Sequence, residues 1–198
     1  MKSFLAIAVI TLASSFSSFA QEHTPRAPVS TPSPAPPRTP TNTSNVIDTS
    51  GWVRFTSEPG RFSVLMPEMP NAETPQTTQS EHGPYTTHLF ITRTQSTLFL
   101  IGWVDYDPNF NFNLLQELEA NRDNFVKGIN AKLLTTRPTV IDGYSALEFT
   151  AETTDRIFKS RVYMVGRRPY QIVIGSPKGQ DDAAQATRFF NSFKVRLR

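Results

Sequence analysis

A chain of 198 residues with no cysteine, a net charge of +3 and only 19% charged residues excludes several classes of protein at once. Thiol catalysis, redox pairs, cysteine-ligated zinc and disulfide scaffolds are all ruled out, so the folded part must rest on its apolar core. The charge is uneven: from Ala151 to Arg198 ten Lys or Arg face four Asp or Glu. That balance favours an anionic partner or, more simply, describes a solvated basic strand face and tail.

Lys2 precedes the apolar run Phe4 to Ala13, and small residues end at Ser18-Phe19-Ala20. This is the pattern of a secretory signal peptide over residues 1–20, cut after Ala20, which implies a secreted or periplasmic protein. The apolar run is about half of the ~20 residues a membrane span requires. An uncleaved anchor is therefore the lesser reading, and no transmembrane span is expected once the signal is removed. Residues 21–50 are dominated by Pro, Thr and Ser, as in Thr31-Pro-Ser-Pro-Ala-Pro-Pro-Arg-Thr-Pro40. Such a segment cannot bury enough apolar area to offset its ordering entropy, and reads as an extended, disordered linker. Residues 51–198 then form one domain, of a size that buries roughly 70% of its unfolded-chain surface.

Within the domain, Trp52 to Ser57 alternates as a strand, Glu58-Pro-Gly-Arg61 supplies a turn with Gly60 free to take positive φ, and Phe62 to Pro67 is a second strand. Asn71 to Pro75 reads as loop. Gln76–Ser80 and Tyr85–Thr94 form a hairpin around Glu81-His-Gly-Pro84. Leu98 to Tyr106 is apolar on both of its faces, the mark of a central strand covered above and below. Asp107-Pro108 stops it. From Leu114 to Ile129 apolar residues recur at helical spacing, with Glu117, Glu119, Arg122, Asp123 and Lys127 mostly off the stripe. The helix is capped by Asn111, with Phe110 stapled to Leu115, or by Asn113 with Gln116 in a capping box, and Gly128 marks its end.

Leu133–Ile141 and Tyr144–Thr153 are strands joined at Asp142-Gly143, the strongest hairpin signal in the chain. Pro138 cannot donate to a ladder, which puts its strand at an edge or kinks it. Ile157–Val165 and Tyr170–Gly175 make a further hairpin across Gly166-Arg-Arg-Pro169. Asp182 then caps a last helix with the stripe Ala186, Phe189, Phe190, Phe193. Two helices and a largely antiparallel sheet give an α+β fold with a covering layer on each face.

Little in the chain points to chemistry. His82 and His88, with Glu81 beside them, have the residue types of a two-His-one-carboxylate metal site, but one sits in a turn and the other on a wet strand face. Asp105 and Asp107 end the central strand, although acid–base work requires two carboxyls facing one cleft. Glu148 and Glu152 share one strand face, Lys159 and Arg161 that of the next. A two- or four-residue turn puts Glu148 opposite Lys159 or Arg161 respectively, so cross-strand pairing explains them without catalysis. Nucleophile-elbow, P-loop and dinucleotide signatures are missing from the sequence. No residue is therefore assigned to catalysis, to a cofactor or to a metal. Export argues against nucleic acid as a partner; anionic wall polymer or lipid headgroups are the better target for Arg167-Arg168 and the tail. The partner of the domain as a whole is expected to be an unknown protein or an anionic envelope component.

The stretches Gly51-Trp-Val-Arg-Phe and Gly60-Arg-Phe-Ser-Val-Leu-Met-Pro67 resemble a recurring opening of exported bacterial domains. Leu118, Arg122-Asp123, Val126 and Gly128, with Ala186-Thr-Arg-Phe-Phe-Asn-Ser-Phe193, look like their two helices. These domains are similar in outline to the PsbP/Mog/DcrB-like group, and the resemblance spans residues 51–198. It implies an antiparallel sheet between helices, an α-β-α sandwich. That group includes a photosystem extrinsic subunit, a Ran-binding protein and envelope proteins, with no shared catalytic set. The resemblance thus implies a non-enzymatic exported binding or scaffold domain, or a photosystem-associated accessory protein in a photosynthetic host. The competing expectation is a metal-dependent or carboxylate-based enzyme at the His82/His88 hairpin or the Asp105–Asp107 strand end.

Overall fold

The computed structural model describes residues 46–47, 51–80, 82–110 and 113–196. The expected signal peptide, all of the expected linker but Val46–Ile47, Glu81 and the alternative cap Asn111 lie outside the described residues. The elements are β1 (Val46–Ile47), β2 (Val53–Ser57), β3 (Phe62–Met66), β4 (Asn71–Ala72), β5 (Gln76–Thr78), β6 (Tyr85–Arg93) and β7 (Leu98–Tyr106). There follow α1 (Leu114–Gly128), β8 (Lys132–Ile141), β9 (Tyr144–Glu152), β10 (Arg156–Val165), β11 (Arg168–Pro177), α2 (Ala183–Ser192) and β12 (Lys194–Val195). The described strand pairs are all antiparallel.

The large sheet runs β4-β6-β7-β11-β10-β9-β8, with β5 also on β6, so β7 lies well inside it. Its first seven residues are buried, because the run is apolar on both faces and each face is covered. Leu98 and Leu100 point into the core that α1 closes with Leu118 and Phe125. Phe99, Ile101 and Trp103 point the other way, towards Phe55, Phe62, Phe189 and Phe193. The cover on that second face is a layer of mixed type: α2 together with a smaller sheet, β1-β2-β3-β12. Its strands β2 and β3 bury alternate residues (Phe55, Phe62, Val64, Met66) and leave those between them partly wet, as a one-sided covering sheet must.

Several local signals hold. Asp142 and Gly143 both take positive φ, 52° and 81°, as the primed hairpin turn requires. Asp182 caps α2 by accepting from the Gln185 amide at 2.9 Å, and Ala186, Phe189, Phe190 and Phe193 are buried. Pro138 lies in β8, the last strand of the large sheet. Of the two candidate caps, Asn113 is the one used, accepting from Leu115 and Gln116 amides at 3.0 and 3.3 Å.

Others differ, each for a physical reason. At Glu58–Arg61 it is Arg61 that takes positive φ (53°), while Gly60 is needed because a Cβ there would lie 2.5 Å from the Phe62 ring. Gly128 stays inside α1 and Asn130 takes the left-handed position at φ 51°. Asn71–Ala72, expected as loop, pairs with Ile91 and Phe90 on β6. Arg168 and Pro169, expected in a turn, already pair with Val165 and Met164, so only Gly166 and Arg167 connect β10 to β11. Phe110 forms no staple: it is buried with Tyr85, Val104 and Tyr106, whereas Leu115 is 52% exposed.

Candidate functional site

The two histidines do not meet. The His88 ring stacks on Trp103 at 4.4 Å between centroids, and its Nε2 lies 3.1 Å from Asp105 Oδ2. The His82 ring lies edge-on to Phe110 at 5.9 Å, beside the cluster on the α1 side of the sheet. Among the described residues no group of His, Cys, Asp and Glu is arranged to hold a metal ion. Asp105 and Asp107 have separate partners. Asp105 bonds Arg168 at 2.5 Å and the Trp103 indole at 3.2 Å; burial opposes its charge, but His88, Arg168 and Trp103 outweigh that and hold it below the usual carboxylate value. Arg168 also donates to the Pro59 carbonyl at 2.9 Å, tying the small sheet to the large one. The Asp107 carboxylate accepts from the Asn109 amide at 2.9 Å and simply closes the turn after β7.

The arrangement with the most chemistry lies at the other end of the large sheet. On β9, Leu147 and Phe149 point into the α1 core, so Glu148 and Thr150 point to the opposite face. The same alternation on β10 turns Phe158 and Val162 inward and Lys159 and Arg161 outward. On that outward face the small sheet and α2 cover the middle of the sheet and leave β8 and β9 open. The result is a groove of about 490 Å³, floored by residues such as Thr135, Arg137, Glu148, Thr150, Lys159 and Arg161 and walled by Ala186, Thr187, Phe190 and Asn191 of α2. It runs into a recess of about 180 Å³ beside Tyr163, Phe193, Asp142 and Lys194.

The register sets the charges of the floor. Ile157 lies opposite Glu152, so the connection Thr153–Arg156 has four residues, and Arg161 falls directly opposite Glu148. Across the other side of β9, Glu148 lies opposite Arg137. Arg161 Nε donates to Glu148 Oε1 at 2.7 Å and Arg137 Nη2 donates to Oε2. Partial burial acts against the Glu148 charge, but both guanidiniums outweigh it and hold the group below the usual carboxylate value. Arg161 is itself fixed, with its guanidinium 4.8 Å over the Phe190 ring and a bond to Asn191 Oδ1 at 3.4 Å. Much of the basic C-terminal part is engaged in the same way: Lys159 with Asp181, Lys178 with Glu152, Lys194 with Asp142 and Arg196 with Glu58.

A second carboxyl has the opposite setting. Glu117, placed off the helix stripe by sequence, is only 1% exposed. The Tyr106 hydroxyl donates to its Oε1, as does Asn121 Nδ2 at 3.0 Å. Burial pushes the Glu117 carboxyl above its usual value, and these hydrogen bonds only partly offset it. Burial and the neighbouring carboxylate likewise push the Tyr106 phenol up. Elsewhere on the α1 side of the sheet, Gln171 lies opposite the side-chain-free Gly102 and donates to Ser160 Oγ at 3.2 Å, while its buried Oε1 has no hydrogen-bond partner among the described residues. The signal for Glu117 is present in the sequence as Glu117, Asn121 and Asn124 at spacings of four and seven, flanking Leu118 and Phe125.

No family profile and no curated protein matches the chain. Among solved structures its neighbours include a PsbP-like one, the cyanobacterial PsbP (CyanoP) from Synechocystis sp. PCC 6803. That likeness has a TM-score of 0.46 and 10% identity, over 79% of this chain and 99% of that one. Another neighbour is a protein from Bacteroides thetaiotaomicron VPI-5482, with a TM-score of 0.37 and 18% identity, over 73% of this chain and 48% of the other. These likenesses concern outline and assign no residue a role.

Proposed function

We propose that the chain is an exported, non-catalytic binding or scaffold domain of the cell envelope, built on a PsbP-like α-β-α plan and carried on its proline-rich segment. Its partner is a protein or an anionic envelope component. The observation that carries this reading is the double clamp on Glu148. A general acid or base must change protonation near its working pH, and a nucleophile must be free to attack. Glu148 is held ionised by two guanidiniums and is free for neither task. A concave surface of fixed charges and threonine hydroxyls suits recognition instead. No helix among the described residues is long and apolar enough to cross a membrane.

Three experiments test this. Affinity capture from an envelope fraction with the purified full chain should retain a partner that a Glu148→Arg variant of equal helicity loses. A panel of hydrolase and peptidase substrates should show no turnover; reproducible turnover abolished by one substitution at Glu117, Asp105 or His88 would remove the reading. Mass analysis of the protein recovered outside the cytoplasm should show residues 1–20 gone.

A further inference from the structure

We propose that the outer edge of β8, at the rim of the groove, receives an acidic, extended peptide segment of a partner protein, paired strand to strand with its carboxylates against Arg137 and Lys132. This deepens the binding reading above and rests on it. β8 is the last strand of the large sheet: β9 pairs with one of its edges, and no strand among the described residues pairs with the other. It is ten residues long and exposed along most of that length. A row of backbone groups in that position is a template for another strand.

The charges say which kind of strand. β8 carries Lys132 and Arg137 and no acidic residue. Lys132 lies opposite Glu152 and Arg137 opposite Glu148, with Arg161 opposite Glu148 on the far side. Read outward from β10, the row is cation, anion, cation, each directly across from the next. An anion on one further strand continues the row, since opposite charges facing one another across antiparallel strands attract and like charges repel. Arg137 is equipped for it: its side chain is 73% exposed, while that of its Glu148 partner is 21% exposed and held from the other side by Arg161. The guanidinium therefore keeps donors turned outward while it holds Glu148.

Spacing adds a second condition. Glu148 and Glu152 are four residues apart, and the bulge between Leu133 and Thr135 brings the two cations of β8 into step with them. An extended peptide with acidic residues four positions apart, about 13 Å, presents both on one face and meets both cations. A second copy of this chain is disfavoured as the occupant. Edge against edge, it would set cations beside cations. Cations and proline also guard an edge against any added strand, so pure guarding is the outcome that would defeat the proposal.

The probe is a labelled peptide of alternating threonine and valine with two glutamates four positions apart, titrated against the purified full chain by fluorescence anisotropy at low and at high salt. Saturable binding is expected, weakening with salt as exposed charge contacts do. Versions with glutamine and with lysine at the two positions should bind about tenfold more weakly or not at all, and Arg137→Gln and Lys132→Gln should each cost about three- to fivefold, the size an exposed ion pair carries. Backbone N-methylation on one edge of the glutamate peptide should abolish binding and separate strand pairing from charge attraction alone. Equal binding of glutamate and lysine peptides, indifference to Arg137→Gln, or tighter binding of a polyuronate glycan than of the peptide would overturn the proposal. If the peptide fails while envelope capture still depends on Glu148, the binding reading stands and this inference alone falls.

Discussion

Glu117 and Glu148 are the same chemical group in two regions of one sheet, and the fold treats them in opposite ways. Under α1 the carboxyl is enclosed with Tyr106 and Asn121, and burial pushes it towards the neutral form. In the groove the carboxyl lies between two arginines, which keep it charged. The α1 side thus excludes charge and is held by packing, whereas the groove side keeps charge in matched pairs within reach of water. A surface that is to meet another molecule can use the second arrangement and not the first.

The largest effect expected from this contrast comes from packing. Phe125→Ala removes the ring that α1 sets between Phe149 and Phe158, and should lower stability by about 3–5 kcal/mol in urea unfolding; a loss below about 1 kcal/mol would mean that α1 is not a core element. Next is Tyr106→Phe, which takes a donor from a buried carboxyl and should cost about 1–3 kcal/mol. That cost should grow as the pH rises through the raised Glu117 value, because the ionised form needs the donor more. Glu148→Gln comes third, at about 1 kcal/mol or less near pH 7. The folded group is held below its ordinary value of 4.5, so its contribution is present above that value and disappears as the pH falls through the lowered one. Thermal melts of variant and parent should accordingly converge at acid pH.

Glu117→Gln should have the smallest effect, and of reversed sense. Its folded value lies above the ordinary 4.5, so the stability it contributes is full below 4.5 and is lost as the pH rises through the raised value. The variant should therefore match the parent near pH 4 and equal or exceed it near pH 8. Melting curves that show the variant weaker at pH 8 than at pH 4 would erase the distinction between the two carboxyls.

What the sequence revealed was what local spacing determines. Leu98–Tyr106 was legible as an inner strand because it is apolar on both faces, and Asp142-Gly143 because only a primed turn suits that pair. The Glu148–Arg161 pairing was legible as one of two options, since the length of the Thr153–Arg156 connection chooses between them. What stayed hidden depends on residues far apart in the chain. β12 returns to pair Lys194 with Ser63, which makes a separate sheet of strands that pattern alone cannot divide from the rest. Glu117 reads as a solvated helix residue until the end of β7 is laid against it. The groove likewise has no motif; it exists because the covers on the two faces of the sheet are offset.

That offset has a consequence for motion. β8 is half-buried at best, with one neighbouring strand and little covering it on either side, so its amide protons should be among the first to exchange with solvent while β7 and β11 retain theirs until the whole domain unfolds. A partner seated along that margin would slow exchange where the free protein is least protected, and occupancy could be followed residue by residue without knowing what the partner is.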